Sequence, residues 1–282
     1  MLKYRVLTGA GFLSLVAGLY IWGPTSLVAL VLLGVTVLAV LEMVQMMTTA
    51  GYPALKWTSL AAVLLWIAGV YFAGSGCRVM DSVPQFMPVI VVWAVTLGCL
   101  FRKDQSQSLA KLTGSFLTIV YVAGLIQFMF MLLNSGQGDQ DGRSLLLYGI
   151  LVIKFTDMGA YFVGSAMGKH KMIPTISPAK TWEGVVGGVV VATCVSSLLM
   201  FLYGYQMSGI SFSALDGLVL GVSLAVMGVV GDLVESMLKR AAGVKDSGSW
   251  LKGMGGILDV LDSLIFALPV LYIYIHWGLN GL

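Results

Sequence analysis

About nine apolar stretches of membrane-spanning length follow one another along this chain, and they leave little room for any other architecture. A helix crossing the hydrocarbon core of a bilayer needs about 20 mostly apolar residues. The candidate spans cover 6–23, 26–42, 57–74, 85–101, 112–133, 145–167, 184–205, 213–231 and 257–277. Breakers separate them: Gly23-Pro24, Gly51-Tyr52-Pro53, Asn134-Ser135-Gly136, Pro174, Pro178 and Ser208-Gly209. Only 10% of the 282 residues are charged, so no segment is polar enough to form a separate soluble domain. The expected fold is an all-α polytopic membrane protein of about nine transmembrane helices.

Lysine and arginine accumulate in cytoplasmic loops, which orients the spans. With the N-terminus inside, thirteen of these residues fall on the cytoplasmic side, from Lys3 and Arg5 through Arg102 and Lys103 to Lys245 and Lys252. Only Arg78 and Arg143 fall outside, Lys154 lies within a span, and the C-terminus faces the outer side. The first apolar run reaches Trp22 without a small-x-small cleavage site and reads as a retained helix, not a signal peptide. The net charge of +3 is mild and does not imply nucleic acid. Cys77, Cys99 and Cys194 lack metal-ligand spacing and read as small packing residues.

Two polar segments, Gly168 to Glu183 and Asp232 to Gly256, come to the same cytoplasmic face in this topology, so a hydrophilic substrate is expected from the cytoplasm. Charge beside membrane helices is costly unless a partner compensates it. On a helix starting near Asp232, the residues Glu235, Ser236 and Lys239 share one face, with Arg240 a turn beyond Ser236. That face fits either a reactive centre or a self-paired interfacial helix. Asp259 and Asp262 lie three apart at the start of the last span. They either cap that helix or, because like charges repel, share a hard cation such as Mg2+. Between these elements, the cluster Gly253-Met254-Gly255-Gly256 can turn backbone N–H groups toward a phosphate, with Lys245 and Lys252 adding charge. Lys154 and Asp157 are one turn apart and form either a simple intrahelical ion pair or part of a polar pocket. In the second reading Lys180 and Thr181 touch phosphate, and Pro178 stops a helix so that a shaped re-entrant loop can form.

The strings TDMGAYFVG, GKHK, SPAKTWEG, GDLVESMLKR, KDSG and GGILDVLDSL, in this order from about Asp157 to Pro269, resemble the CDP-diacylglycerol synthase family, also called phosphatidate cytidylyltransferase. The resemblance implies a membrane enzyme of phospholipid synthesis. It joins CTP to phosphatidate, gives CDP-diacylglycerol and pyrophosphate, and needs Mg2+, with K+ as a second metal. It implies that Asp232, Asp259 and Asp262 hold the metals and, with Lys239, form the catalytic group. By the same motifs Asp157, Ser177, Lys180, Thr181, Glu235, Ser236, Arg240, Lys245, Asp246, Lys252, Gly255 and Gly256 are substrate-binding candidates. Residues 1–143 are then N-terminal transmembrane helices for packing and lipid contact, and 144–282 the catalytic transmembrane region. A homodimer in a bacterial inner membrane, with the active site facing the cytoplasm, completes the expectation.

This chain departs from the usual motifs at Ala179, Lys252, Met254 and Val260, where a second lysine, a proline, a histidine and an arginine are common. Lys252 is expected to supply replacement charge. Three rivals remain at this stage: the same CTP chemistry on an isoprenoid lipid, a paralogue that binds without turnover, and a cation-coupled transporter. The transporter predicts acids spread over several spans, whereas here they gather at one face.

Overall fold

The computed structural model describes residues 11, 14, 16–73, 78–101, 105–137, 141–250 and 255–279. Among the described residues, eight long helices carry the fold: α1 (Thr25–Thr49), α2 (Lys56–Phe72), α3 (Arg78–Leu100), α4 (Ser108–Leu133), α5 (Arg143–Met167), α6 (Trp182–Leu202), α7 (Ala214–Ala241) and α8 (Leu258–Ile273). A π-helical turn, Tyr274–Leu279, continues α8 beyond Pro269. Among the described residues, six helices are long and apolar enough to cross a membrane, and two shorter apolar helices, Lys56–Phe72 and Phe86–Leu100, accompany them. The first expected span, 6–23, is described at residues 11, 14 and 16–23, of which 16–22 are continuously helical. The helical class is as expected, with two small antiparallel hairpins added: β1 (Lys171–Ile173) with β2 (Ser177–Thr181), and β3 (Gln206–Met207) with β4 (Ile210–Ser211).

Two helices outrun their expected ends. α1 continues past residue 42 to Thr49 and stops where Gly51 takes a left-handed φ of +87° ahead of Pro53. α7 does not break before Asp232; its 28 residues carry the charged stretch as the last turns of one helix. Charge ends an apolar run in the sequence, yet a helix continues through it wherever the side chains find partners.

The chain forms two compact units, each described by itself. One comprises Ser26–Met131 with Leu238–Asp259; the other comprises Leu132–Met237 with Val260–Leu282 and the stretch ending at Thr25. In the first unit α2 packs on α3, and Trp66 Nε1 donates to Gln127 Oε1 of α4 at 3.0 Å, satisfying two polar groups inside an apolar bundle. In the second, α5 and α6 cross at backbone contact through small residues. A Cβ on Gly188 would lie 2.9 Å from the Thr156 carbonyl oxygen, and one on Gly184 2.9 Å from that of Ala160. Lipid tails supply no hydrophobic drive between helices, so close packing of this kind is what holds them together. It also places the C-terminal half of α5, with Asp157, beside the start of α6 and the hairpin that precedes it.

Candidate active site

The second unit gathers three carboxylates and two lysines from four elements. On α5, Lys154 Nζ lies 3.7 Å from Asp157 Oδ2, the intrahelical pair anticipated from the spacing. The same ammonium donates to the Val260 carbonyl of α8 at 3.1 Å, which no spacing within α5 could indicate. Hairpin β1–β2 aims Lys180 at α7, where its Nζ reaches Asp232 Oδ2 at 2.8 Å. Glu183 secures the base of that hairpin by accepting the backbone N–H groups of Lys169 at 3.1 Å and His170 at 3.2 Å, and its Oε1 lies 2.5 Å from His170 Nδ1. Pro178 therefore sits in a strand, not at the stop of a helix. Gly231 brings α7 against α8, because any Cβ there would strike the Asp262 carbonyl and Phe266. Asp232 and Asp262 thus flank one helix crossing, and the charges acting on Asp262 are those of Asp232, Lys154 and Asp157. Along α7, Ser236 Oγ donates to Asp232 Oδ1 at 3.3 Å and Glu235 is fully buried, so the expected shared face exists and is turned inward.

In the first unit the acids are used differently. α7 ends in a glycine cap: Gly243 has a φ of +69°, its N–H reaches the Arg240 carbonyl, and the Val244 N–H reaches that of Lys239, each at 3.0 Å. The chain then turns back, leaving Lys245 and Asp246 exposed and Ser247 buried. Lys239 donates to Asp259 Oδ1 at 2.6 Å. Asp259 Oδ2 accepts the N–H of Gly256 at 2.7 Å and both the N–H and the hydroxyl of Ser247 at 2.9 Å. Beside it stands Glu42 of α1, 1% exposed. Glu42 accepts the N–H of Ile257 at 2.8 Å, the N–H of Leu258 at 2.9 Å and the Ser247 hydroxyl at 3.0 Å. The carboxylate caps the positive end of α8, and the loop needs glycine around it, since a Cβ on Gly248 or Gly256 would collide with Glu42.

The Cytidylyltransferase family model matches residues 3–277. The chain belongs to this family. Among its relatives, the phosphatidate cytidylyltransferase of Haemophilus influenzae is 32% identical over 95% of this chain and 96% of its own length. The phosphatidate cytidylyltransferase of Bacillus subtilis is 35% identical over 72% of this chain and 70% of its own length, and that of Staphylococcus aureus (strain COL) 37% over 68% and 70%.

Within this family member, several expected site residues have structural employment. Thr181, expected on phosphate, is 4% exposed and is the N-cap of α6, accepting the Gly184 N–H at 3.2 Å. Ser177 lies in β2 opposite Ile173. The glycine cluster 253–256 was expected to offer its N–H groups to phosphate; that of Gly256 goes to Asp259, the following N–H groups of Ile257 and Leu258 go to Glu42, and residues 253 and 254 lie outside the described residues. The reason is proximity: a tethered carboxylate is always present at the helix N-terminus, whereas a phosphate must arrive. Gly255, at a φ of +92°, passes so close to Asp259 that a Cβ would lie 2.5 Å from Oδ2. Arg240 is exposed, with Nη1 donating to the Val244 carbonyl at 3.3 Å. Lys252 and Met254 lie outside the described residues.

Glu42 is the residue that sequence reasoning missed. Its signal was one acid inside an otherwise apolar run, which reads as the end of a span when the helix is judged by hydropathy alone.

Among the described residues, no group of three or more His, Cys, Asp or Glu side chains stands close enough to enclose a metal ion. The chemistry of the second unit's donors nevertheless fits Mg2+, which takes oxygen ligands and is commonly bound by one or two carboxylates plus substrate phosphates. Asp232 and Asp262 are such a pair. Asp259, expected to join them as a metal ligand, has both oxygens engaged by Lys239, Ser247 and Gly256.

Proposed function

We propose that this protein transfers the cytidylyl group of CTP to phosphatidate, giving CDP-diacylglycerol and pyrophosphate for phospholipid synthesis. Membership of the cytidylyltransferase family over residues 3–277 carries the reading. The acid and lysine cluster on α5, β2, α7 and α8 supports it.

A phosphatidate oxygen attacks the α-phosphorus of CTP in line, the bond from that phosphorus to the oxygen bridging to the β-phosphorus breaks, and pyrophosphate leaves. The nucleophile is a largely ionised phosphate, so no general base is required. Such transfer needs positioning and charge neutralisation more than covalent help from the protein. Asp232 and Asp262 would hold Mg2+, which supplies Lewis-acid polarisation of phosphate oxygens when bound. Lys180 trades its contact with Asp232 for substrate phosphate. Arg240 and Lys245, with Asp246, are assigned to the nucleotide's phosphates by their motifs alone. Lys239, held by Asp259, fixes the glycine loop. K+ as a second cation is tested by titrating KCl at constant ionic strength.

The strong inward bias of lysine and arginine supports a bacterial inner-membrane protein with this site facing the cytoplasm. Labelling Lys245→Cys in sealed vesicles of known orientation tests that placement. The apolar faces that α6 exposes, such as Val186, Val190 and Phe201, suit lipid contact. A homodimer is tested by its mass in detergent.

The decisive experiment incubates purified protein with labelled CTP and Mg2+ and either phosphatidate or an isoprenyl phosphate. CDP-diacylglycerol formed from the diacyl substrate, and lost in Asp262→Asn, supports the reading. Product from the isoprenyl substrate alone, or full activity in Asp262→Asn, overturns it.

A further inference from the structure

We infer that Lys154, a lysine in the middle of a membrane-length helix, is a phosphate-binding residue of the active centre. An ionisable side chain at that depth is expensive to insert, so its retention calls for a partner or a task. The intrahelical pair with Asp157 answers only part of this. At 3.7 Å it is longer than a good charged hydrogen bond, while the better contact, 3.1 Å, goes to a backbone carbonyl on another helix. A salt bridge that merely neutralised the two charges would direct the ammonium at the carboxylate. Here Val260 and Asp157 together hold the ammonium at the junction of α5 and α8.

Its surroundings indicate what it binds. The charges acting on Asp262 are those of Asp232, Lys154 and Asp157, and those acting on Asp157 include Lys154, Asp232 and Lys180. This cluster thus sets Asp157, Asp232 and Asp262 against Lys154 and Lys180, and Lys180 is already 2.8 Å from Asp232. An ammonium has three N–H donors. Val260 and Asp157 take two of those on Lys154, so the third can meet an acceptor oxygen without disturbing either contact. A phosphate oxygen suits that donor: it is a strong anionic acceptor, and the ammonium offsets the repulsion that the neighbouring carboxylates would otherwise exert on it.

The inference rests on the proposed reaction, which supplies two phosphate sources, the nucleotide and the lipid. Lys154→Met keeps the length and apolar volume of the side chain and removes the charge; Lys154→Arg keeps the charge. In the purified full-length protein we expect Lys154→Met to fold, by an unchanged melting profile, and to lose on the order of tenfold to a hundredfold in kcat/KM, with Lys154→Arg recovering most of the loss. A rise in KM for CTP assigns the contact to the nucleotide, and a rise in KM for phosphatidate assigns it to the lipid phosphate. A fall in kcat alone assigns it to the phosphate in transfer. Binding of CTP with Mg2+, measured by calorimetry, separates the first case from the other two without turnover. Wild-type kinetics in Lys154→Met overturn the inference, as does equal loss in both variants with a lowered melting temperature, which marks a structural ion pair. A wild-type protein that makes no CDP-diacylglycerol overturns the proposed function itself, an outcome distinct from either.

Discussion

The two units both bury acids, but to opposite ends. In the first, Glu42 and Asp259 are saturated: each carboxylate accepts hydrogen bonds from backbone N–H groups and a serine, and Asp259 adds a lysine. Such an acid is part of the backbone's own hydrogen bonding and organises a glycine loop and a helix start. In the second, Asp157 is met by Lys154, and Asp232 by Lys180 and a long 3.3 Å bond from Ser236, with no backbone N–H bond to either among those described; the two lysines also lean on carbonyls at Val260 and Val229. Charge there is balanced loosely, which suits exchange with metal and phosphate. Saturation separates an acid committed to the backbone from one with room for a further partner, even where both stand in the same sequence motif.

Substitutions that keep shape and remove charge put this contrast to the test. The largest expected effect is on the loose side: Asp262→Asn should lower turnover on the order of a hundredfold or more while leaving thermal unfolding nearly unchanged. A large loss of stability in that variant would erase the contrast. On the saturated side, Asp259→Asn should cost about 3 kcal/mol of stability, because it leaves Lys239 buried beside a neutral group and turns an amide donor toward N–H donors. Chemical denaturation of the purified variant measures this, and a stable but inactive protein would move Asp259 back among the metal ligands. Glu42→Gln should cost about 2 kcal/mol, since an amide cannot accept from Ile257, Leu258 and Ser247 together, with activity falling only through misfolding of the loop. The smallest effect concerns a loop acid of the second unit that takes no part in the cluster. Burial tends to raise the pKa of Asp141, but hydrogen bonds from Arg143 and Thr25 outweigh it and hold the group below its ordinary value of 3.8. Its stabilising contribution is therefore complete above pH 3.8 and is lost as pH falls through the lowered value. Asp141→Asn should flatten the melting temperature's acid dependence slightly and leave activity at neutral pH intact.

Much of the site was legible because charge is conspicuous in an apolar chain. Asp157, Lys180, Asp232, Lys239, Asp259 and Asp262 were all singled out, and each takes part in an ion pair or charge cluster. The division of labour among them was not. Asp259 and Asp262 are three apart on one helix and look equivalent, yet one organises a loop within the first unit while the other faces acids in the second. Thr181 illustrates the same limit: a hydroxyl beside a lysine reads as a phosphate ligand until α6 begins there and uses it as a cap.

Hydropathy and charge placement by themselves determined the helical membrane class, most of the breaks between helices, and the concentration of reactive groups in the C-terminal half, since the cost of polar groups in lipid acts locally along the chain. Folding alone decided that Glu42 closes the glycine loop from over 200 residues away, that Lys180 reaches Asp232, and that Lys154 meets Val260. Those pairings depend on which helices touch, and that is set by close contacts such as Gly231 against Asp262, which no local pattern of residues contains.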